Sequence, residues 1–158
     1  LLSGKGDAGD IHRFIRQDRG VDSPKAALDG ARDIIAEKIS ENLQTREKIR
    51  TLFHKRAILS TKIVKKNSSR AEKFSNYFDW QEKTSSAPGH RLLAMFRGEN
   101  LKFLTLTVRP PPEEALRILT PLHAPAGNWQ QELQDAAADS YKRLLCPSLE
   151  NELRKELK

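Results

Sequence analysis

Apolar residues recur every three or four positions through most of the chain, a spacing that places them on one face of a helix. The clearest case follows Ser23 and Pro24, which suit the N-cap and the first position of a helix. Its apolar positions are Ala27, Leu28, Ala31, Ile34, Ile35 and Ile39. Similar spacing predicts further helices, over about 10–18, 44–56, 71–77, 112–120 and 128–145. Pro147 then either kinks the last of these or starts another helix over 147–157.

Two segments lack the helical spacing and predict strands. Residues 58–64 contain several β-branched side chains, and residues 101–108 alternate between apolar and polar positions before a run of prolines. We expect these two segments to pair with each other. The predicted fold class is therefore mainly α, a helical scaffold with a small two-stranded β element, in a single domain over 1–158. Residues 1–9 are rich in glycine and are expected to be disordered.

The segment GHRLLAMFRGEN, residues 89–100, has charged ends around a short apolar run. The apolar positions on one helix face are Leu92, Leu93 and Phe96. Gly98 suits a left-handed helix stop after the last turn, and Arg97 suits the negative end of the helix dipole. The basic pair His90 and Arg91 is unfavourable at the positive end, so helix capping leaves the beginning of the segment unexplained.

The apolar faces of these elements together predict a hydrophobic core. Truncating a large aliphatic side chain in such a core to alanine costs about 2–5 kcal/mol. We expect the following residues to be buried: Ile34, Ile35, Ile39, Leu92, Leu93, Phe96, Leu104, Leu106, Leu133, Ala137, Leu144 and Leu145.

The net charge of +7 is concentrated in one part of the sequence. Residues 46–73 contain ten lysines or arginines and two glutamates, so this segment is +8 and the remaining residues are −1. Such a segment is either a nucleic-acid-binding face or a solvated surface, and both interpretations stay open. The candidate nucleic-acid-binding residues are Lys55, Arg56, Lys62, Lys65, Lys66, Arg70 and Lys73. Nearby, Phe74, Tyr77 and Trp80 either stack on unpaired bases or pack inward.

The sequence offers no complete catalytic or metal site, so we expect a protein that is not an enzyme and that carries no cofactor. The four histidines lie far apart, and neither a P-loop nor a G-x-S-x-G motif is present. Cys146 is the single cysteine and cannot form an internal disulfide, which suits a reducing cytoplasm. No apolar run approaches the roughly 18 residues of a membrane span, so no membrane partner is expected.

Four blocks of the sequence share a pattern with a known family. They are GVDSPKAALDGARDIIAEKISEN (20–42), KFSNYFDWQEK (73–83), GHRLLAMFRGEN (89–100) and DSYKRLLCPSLENELR (139–154). In this order they closely resemble the Tex family of bacterial transcription accessory proteins. The resemblance implies an N-terminal helical region, cut from a longer protein, that precedes a resolvase-like domain, a helix-hairpin-helix domain and an RNA-binding barrel. None of those three downstream domains is present in this chain.

The resemblance also implies a structural role for particular residues. The family-motif positions are Gly30, Arg32, Asp33, Tyr77, Asp79, His90, Arg91, Arg97, Gly98, Glu99, Asp139, Arg143, Pro147 and Arg154. The charged residues of the 89–100 block are expected to form ion pairs between helices. Their candidate partners are Asp33, Glu37, Asp79, Glu82 and Asp139. One departure is Gly89, where the family usually has serine, and glycine is a slightly weaker N-cap.

The expected function is a non-catalytic helical scaffold of a Tex-like transcription accessory protein that supports RNA or DNA binding. This fragment alone would bind nucleic acid weakly and without sequence preference. Its other expected partners are the remaining domains of the full-length protein and the transcription machinery. The alternative is a protein–protein interaction module that docks on those same partners, which exposed apolar residues over 147–157 would favour.

Overall fold

The computed structural model describes residues 6–64 and 71–158. Its helices are α1 (Pro24–Glu41), α2 (Leu43–Arg56), α3 (Gly89–Asn100), α4 (Pro112–His123), α5 (Gln130–Asp139) and α6 (Cys146–Glu156). Its strands are β1 (Ile58–Ile63), β2 (Asp79–Lys83) and β3 (Leu104–Arg109). Shorter turns of 3-10 helix cover Ala8–Phe14, Gln17–Arg19, Glu72–Tyr77 and Thr84–Ser86, and a π-helix covers Ser140–Leu145. The prediction of a mainly α fold is confirmed.

The described residues form two compact units. The first contains the described residues up to Ile49 together with Glu113–Pro147, and the second contains those of Arg50–Pro112 together with Ser148–Lys158. The expectation of disorder over 1–9 lies partly outside the described residues, and a 3-10 helix begins at Ala8.

The first unit is built on α1, which packs against α5 and the π-helix. Ile35 and Ile39 of α1 and Leu133 of α5 are buried at this contact. Ser140 is completely buried, and its hydroxyl donates a hydrogen bond to the Ala36 carbonyl at 2.7 Å. Because the Ala36 side chain is only a methyl group, the Ser140 hydroxyl can approach the Ala36 carbonyl. The hydroxyl therefore has a hydrogen-bond partner although it is buried in the core.

The predicted helix over 128–145 changes its winding before it ends. The α-helical hydrogen bonding of α5 stops at Asp139, and the next six residues form the π-helix. Pro147 follows directly in α6, lacks a backbone N–H, and would clash with the carbonyl four residues before it in a regular helix. A widened turn before the proline relieves that clash.

The second unit contains a three-stranded antiparallel sheet in the order β2-β1-β3. The prediction of two strands was therefore wrong in number, although the pairing of β1 with β3 was correct. The strand that sequence reasoning missed is β2, whose residues are all polar or charged except Trp80. An edge strand buries only part of one face, so its alternation is weak in the sequence.

The other edge of the sheet, along β3, is paired with side chains of α6. The Val108 N–H donates to Glu150 at 2.8 Å, and Arg154 donates to the Leu106 carbonyl at 2.8 Å. Arg109 donates to the second Glu150 oxygen at 2.5 Å, and Arg154 also binds Glu99 of α3. We call these four charged residues the edge cluster: Glu99, Arg109, Glu150 and Arg154. The cluster supplies partners for backbone groups that an edge strand would otherwise leave open.

Helix α3 does not end at Gly98, contrary to the sequence prediction. Gly98 is buried inside the helix, and its backbone does not adopt positive φ. The left-handed position is Lys102, with φ of 62°, where the amides of Lys102 and Phe103 bond back to the carbonyls of Glu99 and Gly98. Glycine is present at 98 because a Cβ there would lie 2.6 Å from Leu104.

Two residues of the predicted core are exposed. Ile34 is 57% exposed and Leu93 is 61% exposed, so both predictions were wrong. Each stands next to a buried apolar residue in its helix, and the helix can direct only one of two adjacent positions straight into the core. Leu144 is half-buried, and the other nine predicted core residues are buried.

The predicted helix over 10–18 is instead two 3-10 helices, Ala8–Phe14 and Gln17–Arg19. Arg16 pairs with Val21 in an isolated bridge, and Gly20 takes the left-handed conformation between them. A continuous α-helix is incompatible with that tight reversal.

Gly98 and Gly30, each inside an α-helix, provide a matched test of the packing at Gly98. Gly98→Ala places a methyl group against the buried Leu104 side chain, and we expect it to destabilise the fold by about 1–3 kcal/mol. Gly30→Ala is the control, because nothing lies within 4 Å of its added Cβ. Alanine also favours a helix, so this control should be neutral or stabilising by up to about 1 kcal/mol. Chemical denaturation measures both, and equal effects would contradict the packing explanation.

From the contacts of the edge cluster, we expect Glu150 to contribute more to the free energy of unfolding than Glu152. Glu150→Gln keeps an acceptor for Val108 but removes the charge that faces Arg109 and Arg154. Because Glu150 is 5% exposed, we expect a loss of about 1–3 kcal/mol. Glu152, on the same helix as Glu150, forms a half-exposed pair with Arg50 of α2, so Glu152→Gln should cost less than about 1 kcal/mol. Thermal melts of the two variants that shift equally would contradict this ranking.

Candidate nucleic-acid interface

One face of the sheet is polar and open to solvent. Alternate residues of the three strands lie on it, and we call this set the outer sheet face. Its members are Ile58, Ser60, Lys62, Asp79, Gln81, Lys83, Thr105, Thr107 and Arg109. All of them are exposed except Ile58 and Ser60, which are half-buried. With three basic residues and one acidic residue, the outer sheet face has an excess of positive charge.

The strand register fixes the spacing of the three cations. Lys62 stands opposite Asp79 and Thr105, whereas Lys83 and Arg109 stand on either side of Ile58. Neighbouring strands lie about 5 Å apart and each residue advances about 3.4 Å, so the Lys83 and Arg109 backbones are about 10 Å apart. Lys62 lies about 13 Å along the strand from their row. This separation allows Lys62 and Lys83 to reach different phosphates of one strand, while the Arg109 guanidinium is bound to Glu150.

The remaining polar side chains of the outer sheet face are held by local hydrogen bonds. The Gln81 amide donates to the Ser60 hydroxyl at 3.4 Å. The hydroxyls of Thr105 and Thr107 donate to the carbonyls of Lys62 and Ser60, at 3.3 and 3.5 Å. A hydroxyl that donates in this way keeps free lone pairs, so these oxygens can still accept a hydrogen bond from a ribose hydroxyl.

The aromatic residues near the basic segment do not lie on this face. Phe74 is buried and packs against Phe103, with ring centroids 5.8 Å apart. Trp80 faces the other side of β2, between the Tyr77 ring and the guanidinium of Arg91. Among the residues that the structure describes, the outer sheet face therefore offers no ring for base stacking, and contact with nucleic acid would be with the backbone.

The candidate cations from the sequence fall into three groups. Lys62 lies on the outer sheet face, while Lys55 and Arg56 are exposed at the end of α2 and Lys73 is exposed in the 3-10 helix Glu72–Tyr77. The structure does not describe positions 65–70, which contain Lys65, Lys66 and Arg70.

Sequence reasoning missed Lys83 and Arg109, which the sheet brings onto the same face as Lys62. Both stand outside the basic segment 46–73, so a count of charge along the chain does not find them. Alternation in 101–109 placed Arg109 on the polar face of a strand, and that signal was available. Lys83 had no such signal because β2 was not predicted.

Charge is strongly divided between the two units. The second unit, residues 50–112 and 148–158, contains 16 basic and seven acidic residues and has a net charge of +9. The first unit contains 12 basic and 14 acidic residues and has a net charge of −2. The net positive charge of the chain therefore comes from the second unit, which carries the outer sheet face.

Most family-motif residues of the first unit form ion pairs. Arg32 of α1 donates to Glu132 of α5 at 2.6 Å, and this carboxylate raises the pKa of Arg32 above its ordinary value. Arg143 binds Asp139 at 2.8 Å and Asp33 at 3.1 Å, and the hydrogen bond that it donates to Asp139 likewise raises the pKa of Arg143. These pairs join α1 to the helices that pack on it. Of the other two positions, Gly30 lies on the exposed side of α1 and Pro147 is the second residue of α6.

The family-motif residues of the second unit divide into paired and exposed sets. Arg91 of α3 binds Glu82 of strand β2 at 3.2 Å, while Glu99 binds Arg154 of α6. His90 and Arg97 are exposed and form no ion pair with another described residue, so the expected interhelical pairs are absent for these two. Of the remaining positions, Tyr77 packs edge-on against Trp80, Asp79 lies on the outer sheet face, and Gly98 is buried against Leu104.

The described residues contain no cluster of three or more histidine, cysteine, aspartate or glutamate side chains that could hold a metal ion. In the same part of the chain, no helix is both long enough and apolar enough to cross a membrane.

His123 lies 2.6 Å from the buried Thr45 hydroxyl, and burial lowers the pKa of its imidazole.

Comparison with known proteins gives consistent results. Residues 8–158 match the family described as Tex central region-like. Protein YhgF of Escherichia coli (strain K12) is 40% identical over 101 residues, 64% of this chain and 13% of that protein. Transcriptional accessory protein Tex of Neisseria gonorrhoeae is 35% identical over 94 residues, 60% of this chain and 12% of that protein. S1 RNA-binding domain-containing protein 1 of Homo sapiens is 29% identical over 159 residues, 91% of this chain and 16% of that protein.

The chain therefore spans between about one-eighth and one-sixth of the length of these relatives. The family match covers nearly all of the described helices and strands, including both sets of interhelical ion pairs and the outer sheet face. On this basis the chain belongs to the Tex central region-like family.

Proposed function

We propose that this chain is a non-catalytic scaffold of a Tex-like, cytoplasmic transcription accessory protein and that its outer sheet face binds the nucleic-acid backbone. The observation that carries the proposal is the division of charge, +9 in the second unit and −2 in the first. The outer sheet face contributes three exposed cations to this excess, Lys62, Lys83 and Arg109, of which Arg109 is also bound to Glu150. Electrostatic attraction to phosphates needs little more than such a surface.

The relatives support the same class of function. One is named for transcription and another for an RNA-binding domain, and each is several times longer than this chain. In the complete protein we propose that the outer sheet face adds weak, sequence-independent contacts to those of other domains. Two weak sites on one chain gain affinity through their high effective concentration, so even modest binding here would matter.

The alternative function, docking on protein partners, was expected to require exposed apolar residues on the last helix. Leu149 and Leu153 of α6 are 1% and 5% exposed, because they face the interior of the second unit. This helix therefore gives no support for docking, and α6 instead serves the sheet through the edge cluster.

The proposal predicts salt-dependent binding of a short labelled single-stranded RNA, measured by fluorescence anisotropy. Each phosphate contact on a single strand contributes about −0.7 to the slope of log K against log salt, so three or four contacts give roughly −2 to −3. The dissociation constant should lie near 10⁻⁴–10⁻⁶ M at moderate salt, about the range of non-specific binding. RNAs of different base composition should bind equally, because the outer sheet face lacks aromatic rings.

Charge reversal identifies the face. Lys62→Glu combined with Lys83→Glu should weaken binding and reduce the salt slope by about 1.4, the contribution of two contacts. Lys25→Glu with Lys142→Glu is the matched control, since both lysines are exposed in the first unit and the change in net charge is the same. If the control weakens binding as much as the double reversal, the attraction is general and the outer sheet face is not the site.

A further inference from the structure

Helix α3 presents an exposed stripe of residues that take no part in its ion pairs or its buried contacts. It consists of His90, Leu93 and Arg97 together with Leu101, the C-cap residue directly after the helix, and we call it the α3 stripe. At 100° per residue these positions fall within about 80° of the helix circumference, over a length of about 16 Å. Leu93 is 61% exposed and Leu101 is 45% exposed, and both charged residues are also exposed.

Three of these residues, His90, Leu93 and Arg97, belong to the block 89–100 that carries the family resemblance. Arg91 and Glu99 from the same block have structural partners, Glu82 and Arg154. His90 and Arg97 have no ion-pair or side-chain hydrogen-bond partner among the described residues. Packing against the sheet therefore accounts for one side of α3 and leaves the stripe without a structural role.

The two ion pairs of α3 hold the stripe rigidly. Arg91 ties the first turn to β2, and its guanidinium lies 5.3 Å from the centre of the Trp80 ring. Glu99 ties the last turns to α6, and Leu92, Met95 and Phe96 are buried beneath the helix. A surface fixed in this way loses little conformational entropy when a partner binds.

We propose that the α3 stripe docks a protein segment that carries apolar side chains and carboxylates, most simply an acidic amphipathic helix. Charge complementarity selects this occupant: the stripe contains an arginine and a histidine, and the carboxylates that α3 contains or binds, Glu99 and Glu82, are already paired with arginines. The two exposed leucines favour protein over RNA, because a nucleic-acid backbone has no apolar groups to cover them. Helix-on-helix docking of this kind uses anchors at three- and four-residue spacing.

This interaction goes beyond the nucleic-acid contact and is independent of it. The outer sheet face and the α3 stripe share no residue. Substitutions at Lys62 and Lys83 should therefore leave peptide binding unchanged, and substitutions in the α3 stripe should leave the salt slope for RNA unchanged.

The test begins with a displayed library of random peptides selected on the whole chain, with Leu93→Asn/Arg97→Glu as the counter-selection target. We expect enriched peptides to combine two large apolar residues, three or four positions apart, with aspartate or glutamate. A synthetic copy of the best peptide is then titrated by fluorescence anisotropy. Leu93→Asn and Arg97→Glu should each weaken binding by about tenfold or more, as central interface residues do.

Leu43→Asn is the matched control, because Leu43 is 83% exposed and lies in the first unit. It should change peptide affinity by less than about twofold. Circular dichroism melts check that the exposed substitutions leave the fold intact. The proposal is overturned if no peptide is enriched over the counter-selection target, if the enriched peptides lack carboxylates, or if Leu43→Asn is as harmful as Leu93→Asn. It is equally overturned if Arg97→Glu weakens RNA binding while no peptide responds to Leu93→Asn.

Discussion

Without α6, the outer edge of β3 would expose the unpaired N–H of Val108 and the unpaired carbonyl of Leu106. Glu150 and Arg154, one turn apart on α6, bind those two groups, and Arg154 extends the contact to Glu99 of α3. A sheet edge left open in this way invites pairing with other chains. The edge cluster closes it with charged side chains that are themselves paired, so burial of Glu150 does not leave an isolated charge. The position of α3 and the exposure of the opposite sheet face both follow from this arrangement.

The same constraint separates the roles of the two faces of the sheet. One face is covered by α3 and carries Leu104, Leu106 and Val108, which are almost completely buried. Because the helices and the edge cluster satisfy this side and its edge, the other face can remain polar and uncovered. Lys62 and Lys83 are exposed there and have no role in the core, whereas Arg109 also belongs to the edge cluster through its bond to Glu150. The three short strands therefore contribute one face to a stable core and the other face to a binding surface.

Sequence patterns predicted the longer helices well because the apolar periodicity of these helices repeats over several turns, as in α1. Alternation and β-branched residues predicted β1 and β3. They missed β2, whose five residues contain one aromatic and no aliphatic side chain. They also misplaced Gly98, since its usual role as a helix stop hides a packing role that depends on Leu104, six residues later. The partner of Glu99 was not found because Arg154 lies 55 residues away, and residue patterns carry no information on such contacts. Residue patterns also did not place Lys83 with Lys62 of the basic segment, because only the pairing of β2 with β1 brings these two lysines onto one face.

The most direct test of the outer sheet face as the nucleic-acid contact is residue-level mapping. The isotope-labelled chain would be titrated with a short single-stranded RNA while its backbone amide signals are followed by two-dimensional NMR. The account predicts that the largest changes occur in β1, β2 and β3, at Lys62, Lys83, Thr105 and Thr107, and that they diminish as salt is raised. Changes concentrated on the α3 stripe or in the first unit, with the strand signals unmoved, would contradict it.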